Sequence, residues 1–284
     1  MPRFLALVVL LTLQACALDE NGLSQPSPDA TDVTVDAPLA DAPSDVGLED
    51  GSDVDAYDAG PPAILPTTLP GCVAWYRADL GISTDAGVSA WADESNVNDA
   101  THVLTQVVAA QQPAWNTGDS AYNGQATVSF IAAQSQQLRT PTWASALVQP
   151  YTVMVVGEQT AGAFVDGTVG TQQGRLFTDG SSYTGFWAGG SLFITTKRMT
   201  APSVALVVVD GSSSRLYLNS LTPANGGVGS SAPGGIVIGA DWYGTSQLQG
   251  KVAEVAYFSR AVTGSEVTAL FAYVASRYAI LIGP

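Results

Sequence analysis

Between Cys72 and Phe258 the chain is a succession of short β-branched or aromatic runs cut by turn dipeptides, among them Asn123-Gly124, Asp179-Gly180, Asp210-Gly211 and Asn225-Gly226. The runs are strand-sized, and Asn-Gly and Asp-Gly supply the backbone conformations that tight hairpins need. They predict strands over Cys72–Tyr76, Val88–Ala92, Ala126–Ile131, Tyr151–Gly157, Arg175–Phe177, Gly185–Ala188, Leu192–Thr195, Val204–Asp210, Arg215–Asn219, Ile236–Gly239 and Gln249–Phe258. The period then changes. Thr263-Gly264-Ser265-Glu266 reads as a capping box, and Val267, Leu270, Phe271, Val274 and Tyr278 recur at the spacing of one apolar helix face. Many strands with no fixed repeat, closed by one helix, predict an all-β fold: a two-sheet antiparallel sandwich of jelly-roll type with a C-terminal helix lying against it.

The segment before these strands has another character. The formal net charge of the whole chain is -15, and most of it falls between Ala17 and Pro70, where twelve Asp and Glu residues occur without a Lys or Arg. Asp-Ala pairs, prolines and serines fill that segment, which cannot bury enough apolar surface to offset its ordering entropy. It is expected to be a disordered acidic linker, with a flexible-chain span of about 40 Å. Ahead of it, Arg3 and the apolar run Phe4 to Leu13 form a signal peptide, too short to cross a ~30 Å hydrocarbon core. Leu13-Gln14-Ala15-Cys16 resembles the bacterial lipobox, which implies lipidation of Cys16, and Ala17 after it implies outer-membrane sorting. The expected organisation is therefore a signal and lipobox over 1–16, a linker over 17–70 and a folded domain over 71–284. Such a protein is exported and lipid-anchored to the outer membrane, on its periplasmic or surface face, and meets the membrane through the lipid alone. The folded part is nearly neutral and has no basic patch, which argues against a nucleic-acid partner.

Several stretches of the folded part, taken in order, carry a likeness. They are Val73-Ala74-Trp75-Tyr76-Arg77-Ala78-Asp79, Val88-Ser89-Ala90-Trp91-Ala92-Asp93-Glu94-Ser95, Asn98-Asp99-Ala100-Thr101, Gln112-Pro113, Asn123 to Phe130, and Gly250 to Ala261 before the helix. Together they resemble the LamG-like jelly roll of the concanavalin A-like lectin/glucanase superfamily. Asn96 stands where that family usually has Gly, and Ile131-Ala132 replaces its usual Asp-Gly. The resemblance implies the sandwich, with Trp75 and Trp91 in its core. It also implies a structural role for Glu254, bonded to nearby backbone or to an arginine. It does not choose among lectin, hydrolase and adhesion functions.

The chemistry-bearing residues narrow that choice. A retaining glycosidase needs two carboxylates ~5 to 5.5 Å apart. Asp93 and Glu94 are adjacent, so a strand would point them to opposite faces, and Glu158 and Glu254 each stand alone in apolar segments. His102 is the only histidine, no Gly-x-Ser-x-Gly elbow is present, and a histidine zinc site lacks ligands. With Cys16 assigned to lipid, Cys72 has no intrachain partner and reads as a small buried hydrophobe.

Two binding sites remain as candidates. Asp93, Ser95, Asn96, Asn98 and Asp99 crowd oxygen-bearing side chains into seven positions, a candidate Ca²⁺ loop, with an Asx turn as the alternative. Asp241, Trp242, Tyr243 and Gln247 form a polar loop with two adjacent aromatics, to which Tyr183, Trp187 and Trp115 are expected to add ring faces for stacking on sugars. The function expected from the sequence is a non-catalytic, lectin-like domain binding polysaccharide or glycoprotein. A protein-adhesion or structural envelope module is the first alternative and a glycoside hydrolase the second.

Overall fold

The turn-punctuated runs pair as antiparallel strands in two layers. The computed structural model describes residues 64–97, 99–179 and 183–284. The signal peptide, Cys16, nearly all of the acidic linker and Asn98 lie outside the described residues. In chain order the strands begin with β1 (Cys72–Arg77), β2 (Ile82–Thr84), β3 (Val88–Trp91), β4 (Leu104–Thr105), β5 (Ala114–Asp119), β6 (Gln125–Phe130), β7 (Leu138–Arg139) and β8 (Tyr151–Asp166). They continue with β9 (Arg175–Asp179), β10 (Tyr183–Trp187), β11 (Ser191–Ile194), β12 (Ser203–Val209), β13 (Ser214–Leu218), β14 (Ala224–Gly226), β15 (Val237–Ile238) and β16 (Gln249–Phe258).

The first layer runs β14-β13-β12-β8-β16, with β1 and β6 sharing the far edge of β16 and β5 outside β6. The second runs β11-β10-β9-β8-β15-β7-β4-β3-β2. β8 belongs to both: Tyr151–Gly157 pairs with β12, and its end from Gly162 pairs with β9 and β15. Strand pairing is thus continuous, one antiparallel sheet of sixteen strands folded into a sandwich. The crossing needs glycine. At Gly162 φ is +93°, and a Cβ would stand 2.0 Å from the Gln247 carbonyl oxygen.

Two cores follow from the alternation of side chains along each strand. On β12, Ala205, Val207 and Val209 face between the layers, where they join Trp91, Phe164 and Phe186. Val204, Leu206 and Val208 face outward and are covered by α1 (Gly264–Tyr278) through Phe271 and Val274. A strand covered on both sides reads as an unbroken apolar run, as Val204 to Val209 does. The capping box forms as the sequence predicts: Thr263 Oγ1 accepts from Glu266 N, and Glu266 Oε2 accepts from Thr263 N. Arg260 holds the same carboxylate with two nitrogens at 2.8 and 2.7 Å. That hydrogen bonding draws the Glu266 carboxyl down to about 2.

Glu254 is fully buried where α1 meets β16. The resemblance implied backbone or arginine partners, and the structure corrects this. Its oxygens accept from the Trp75 indole at 2.6 Å and from the Tyr273 and Tyr278 hydroxyls at 3.0 and 2.7 Å. Burial pushes its pKa above the usual carboxylate range despite those donors. Cys72 is buried in the same layer, where burial and nearby carboxylates raise its thiol to about 12, consistent with an inert hydrophobe.

The edges differ from expectation in three ways. β8 continues past Gly157 because its ladder with β16 carries the polar residues Glu158 and Gln159. Short or polar strands such as β2, β4, β5, β7 and β14 lack the apolar alternation that would announce them. Packing also begins before Gly71: Ile64 and Leu69 lie against the helix-side core, and Arg260 Nε donates to Pro70 O.

Candidate functional site

Side chains on opposite partners of an antiparallel pair share a face. Trp187 stands opposite Arg175, Gly185 opposite Phe177 and Phe193, and Leu176 and Phe186 are the inward positions of the same strands. The outward face of β9, β10 and β11 therefore carries Arg175, Phe177, Tyr183, Trp187 and Phe193, all half-buried. Gly185 makes their packing possible, since a Cβ there would stand 2.4 Å from the Phe193 ring. Tyr183 meets Phe193 edge-on at 4.5 Å between centroids, Phe193 meets Phe177 at 6.1 Å, and the Arg175 guanidinium lies 4.9 Å from the centre of Phe177. The result is an aromatic strip with a cation at one end.

From that end the strip continues into the loop after β15. Arg175 Nη1 is 3.7 Å from Asp241 Oδ2, and Trp242 and Tyr243 follow in sequence with their rings edge-on at 5.1 Å. The loop is held from beneath. Asp166, at the end of β8, is 0% exposed and accepts from the backbone N–H of Gly167 (2.8 Å), Gly174 (3.1 Å) and Trp242 (3.1 Å). Burial outweighs those donors and lifts its carboxyl to about 6. Arg139, outward on β7, donates to the carbonyls of Thr168 and Trp242. It also borders a shallow cavity of about 420 Å³ with Gln106 and Gln137.

Three of the six predicted ligand residues face outward: Tyr183 and Trp187 on the strip, and Tyr243, which is 71% exposed. The other three are bonded or packed within the loop. Asp241 is 6% exposed, and its oxygens accept from Thr245 N at 2.7 Å and Thr245 Oγ1 at 2.8 Å, bonds that draw its pKa down against its burial. Gln247 turns its amide back to donate to the Gly244 carbonyl. Trp242 is half-buried, its ring lying against Gly170. Adjacent side chains tend to point to opposite sides, which leaves one of two neighbouring aromatics outside but does not tell which one the turn exposes. Trp115 sits on β5 in the first layer, with its indole N–H bonded to Ala78 O. The sequence reading missed Arg175, Phe177, Phe193 and Arg139. The i, i+2 spacing of Arg175 and Phe177 was the available signal.

In the candidate Ca²⁺ loop, of which Asn98 lies outside the described residues, Asp93 and Asp99 make Asx-type bonds. Asp93 Oδ1 accepts from Trp75 N and Ser95 N, both at 2.8 Å. Oδ2 accepts from Ser95 Oγ at 2.8 Å and meets His102 Nδ1 at 3.1 Å. Asp99 accepts from Thr101 N, which lowers its pKa, and Asn96 donates to Thr67 O. These oxygens serve Asx turns that pin the loop to β1. Among the described residues no three His, Cys, Asp or Glu side chains gather as metal ligands.

No protein-family model and no curated protein matches the sequence. Solved structures do. Trypanosoma rangeli sialidase in complex with the inhibitor DANA superposes with a TM-score of 0.50 at 13% identity, over 73% of this chain and 34% of the sialidase. Domain 4 of AbnA, a GH43 extracellular arabinanase from Geobacillus stearothermophilus, in complex with arabinotriose, gives 0.47 at 15% identity, over 70% of this chain and 97% of that domain. The chain spans about a third of the length of the sialidase, and at this identity the likeness is one of fold: an all-β sandwich.

Proposed function

We propose that the β-sandwich is a LamG-like, non-catalytic carbohydrate-binding module that takes polysaccharide or glycoprotein glycans across the outward face of the second layer. In this reading the chain is exported and lipid-anchored through Cys16, with the acidic segment holding the module off an outer membrane. The observation that carries the binding role is the strip of half-exposed rings, Phe177, Tyr183, Trp187 and Phe193, joined through the Arg175–Asp241 pair to the loop that carries the exposed Tyr243. Sugar rings present C–H faces and hydroxyls together, and such a strip offers stacking planes beside a guanidinium donor. The fold shared with a sialidase solved with an inhibitor supports carbohydrate as the ligand class. The placement of Asp166 and Asp241 supports binding over hydrolysis, since both are buried and bonded to loop donors.

The test is binding of the full chain to a broad glycan array, followed by calorimetry on the hits. Saturable binding is expected, and Tyr243→Ala should weaken it by about 1–2 kcal/mol. Silence across the array, or affinity indifferent to both Tyr243→Ala and Tyr183→Ala, would overturn the proposal.

A further inference from the structure

His102 ends a single turn of 3-10 helix that opens at Asp99, and two contacts fix its position. The Tyr76 hydroxyl, rising from the core, donates to the His102 carbonyl at 2.5 Å, and the imidazole packs against the Trp143 ring at 4.7 Å between centroids. Nδ1 lies 3.1 Å from Asp93 Oδ2, and the Asp93 carboxylate is itself immobilised by the Trp75 and Ser95 donors. A carboxylate engaged by three other donors acts toward the ring as an acceptor, so in the neutral imidazole Nδ1 carries the hydrogen and Nε2 presents a lone pair. Nε2 has no hydrogen-bond partner among the described residues, and it is not among the sealed polar atoms. The ring lines a cavity of about 360 Å³.

The other walls decide what such a cavity takes. Val73, Trp143 and Leu147 supply apolar surface, while Thr101, Ser145 and Asp99 supply two hydroxyls and a carboxylate. The wall from Trp143 to Leu147 is preformed, since the Trp143 and Leu147 N–H groups donate to the carbonyls of Gly234 and Pro233 at 2.9 Å. The polar groups of Asp99, Thr101, Ser145 and His102 are acceptors or hydroxyls, while the Trp143 indole N–H is buried without a hydrogen-bond partner among the described residues. Among the described residues no Lys or Arg lines the cavity, so an anionic guest would meet the Asp99 carboxylate with no fixed positive charge to offset it. A volume near the small end of the ~300 to 1,000 Å³ range of ligand pockets fits one ring better than a chain.

The geometry points to a second binding site, separate from the aromatic strip, in which His102 Nε2, oriented by Asp93, accepts a hydroxyl of a neutral monosaccharide-sized polyol seated between Trp143 and Ser145. The site does not depend on the strip, and its test keeps the two apart. His102 is the only histidine in the chain, so its ring gives one assignable set of imidazole NMR signals. With the full chain at pH 8, ¹⁵N spectra should show the Nδ1–H tautomer. Titration with glucose, galactose, arabinose and N-acetylglucosamine should move the His102 ring signals saturably with at least one of them. Ser145→Ala should raise that dissociation constant about three- to tenfold, the loss of one hydrogen bond. Ala144→Trp, at an exposed position of the cavity wall, should abolish the shift while leaving the tautomer and the fold unchanged. Tyr243→Ala should leave the shift intact even where it abolishes glycan-array binding. An Nε2–H tautomer, no shift with any of the four sugars, or a shift that survives Ala144→Trp would overturn the inference.

Discussion

On the outward face of the first layer, Val204, Leu206 and Val208 disappear beneath α1. On the outward face of the second, Phe177, Tyr183, Trp187 and Phe193 stay half exposed with no helix over them among the described residues. Both faces are rich in large side chains, but their polar groups are arranged differently. Under the helix Glu254 is enclosed by three donors from two elements, so that docking α1 and neutralising a buried carboxylate are one event. On the open face Asp166 accepts from the Gly167, Gly174 and Trp242 backbone and Asp241 from Thr245 while facing Arg175, so among the described residues both hold the strands and loops of that face and neither bonds to a covering segment. Hydrophobicity alone therefore does not tell a covered face from a presented one in this molecule. What the carboxylates bind does: a covering helix in one case, the strands and loops of the same face in the other.

The largest effect is expected where that difference is removed. Glu254→Ala leaves the Trp75 indole and two tyrosine hydroxyls buried without an acceptor, which should cost about 3–5 kcal/mol in urea denaturation. Glu254→Gln keeps one acceptor oxygen and should cost less. A loss below about 1 kcal/mol for the alanine variant would mean that α1 is held by its apolar stripe alone.

That stripe was legible before the structure, and so was most of the covered face. Val267, Leu270, Phe271, Val274 and Tyr278 follow the helical period, Thr263 and Glu266 mark its start, and all five apolar positions are buried. Tyr273 was not legible, because its apolar ring and polar tip fit either a core or a surface reading until Glu254 is placed beside it. The open face was half legible for a related reason. Alternation identifies Tyr183 and Trp187 as sharing a side, but only strand register puts Arg175 beside Trp187 and Phe193 over Gly185. Register is a long-range property that short polar turns do not encode. The loop of Asp241 to Gln247 is harder to read for a third reason: its composition suits a ligand site and a self-bonded turn equally, and the bonds of Asp241 to Thr245 and of Gln247 to Gly244 form only in the folded turn.

The open face makes its own prediction, smaller than that for Glu254. Asp166 has a folded pKa near 6, above the ordinary 3.8, because burial outweighs three backbone donors. A raised carboxyl pKa means that the folded state holds the proton more tightly than the unfolded one. Its contribution is thus fully present below about pH 4 and is lost as pH rises through about 6. Asp166→Asn removes that titration. Relative to the variant, the wild-type protein should lose on the order of 2–3 kcal/mol between pH 4 and pH 7. Parallel pH profiles for the two proteins would show instead that the three N–H bonds set the state of Asp166.

At the covered face, Glu266 works in the opposite sense. Its carboxyl is held near 2 first by Arg260, so its stabilisation is present above about pH 4.5 and is lost as pH falls toward 2. The group is partly solvated, and screening reduces the value of the pair. Together with loss of the capping box, Glu266→Ala should cost about 1–2 kcal/mol at pH 7 and almost nothing at pH 2. Equal losses at both pH values would assign the effect to uncharged contacts of the side chain rather than to its charge, since alanine is the better helix former.

Tyr243 gives the smallest change in stability and the sharpest contrast with Glu254. Its ring is 71% exposed and touches Trp242 edge-on, so Tyr243→Ala leaves no cavity and no buried donor unpaired. The melting temperature should shift by no more than about 0.5 kcal/mol would produce, the range of ordinary surface substitutions. Trp242→Ala, one residue away, removes the ring packed on Gly170 and should cost more than twice as much. If both substitutions prove equally harmless, the loop is not held by its indole, and the exposure of Tyr243 reflects slack in the turn. If Tyr243→Ala is as damaging as Trp242→Ala, the tyrosine belongs to the frame and the open face ends at Arg175.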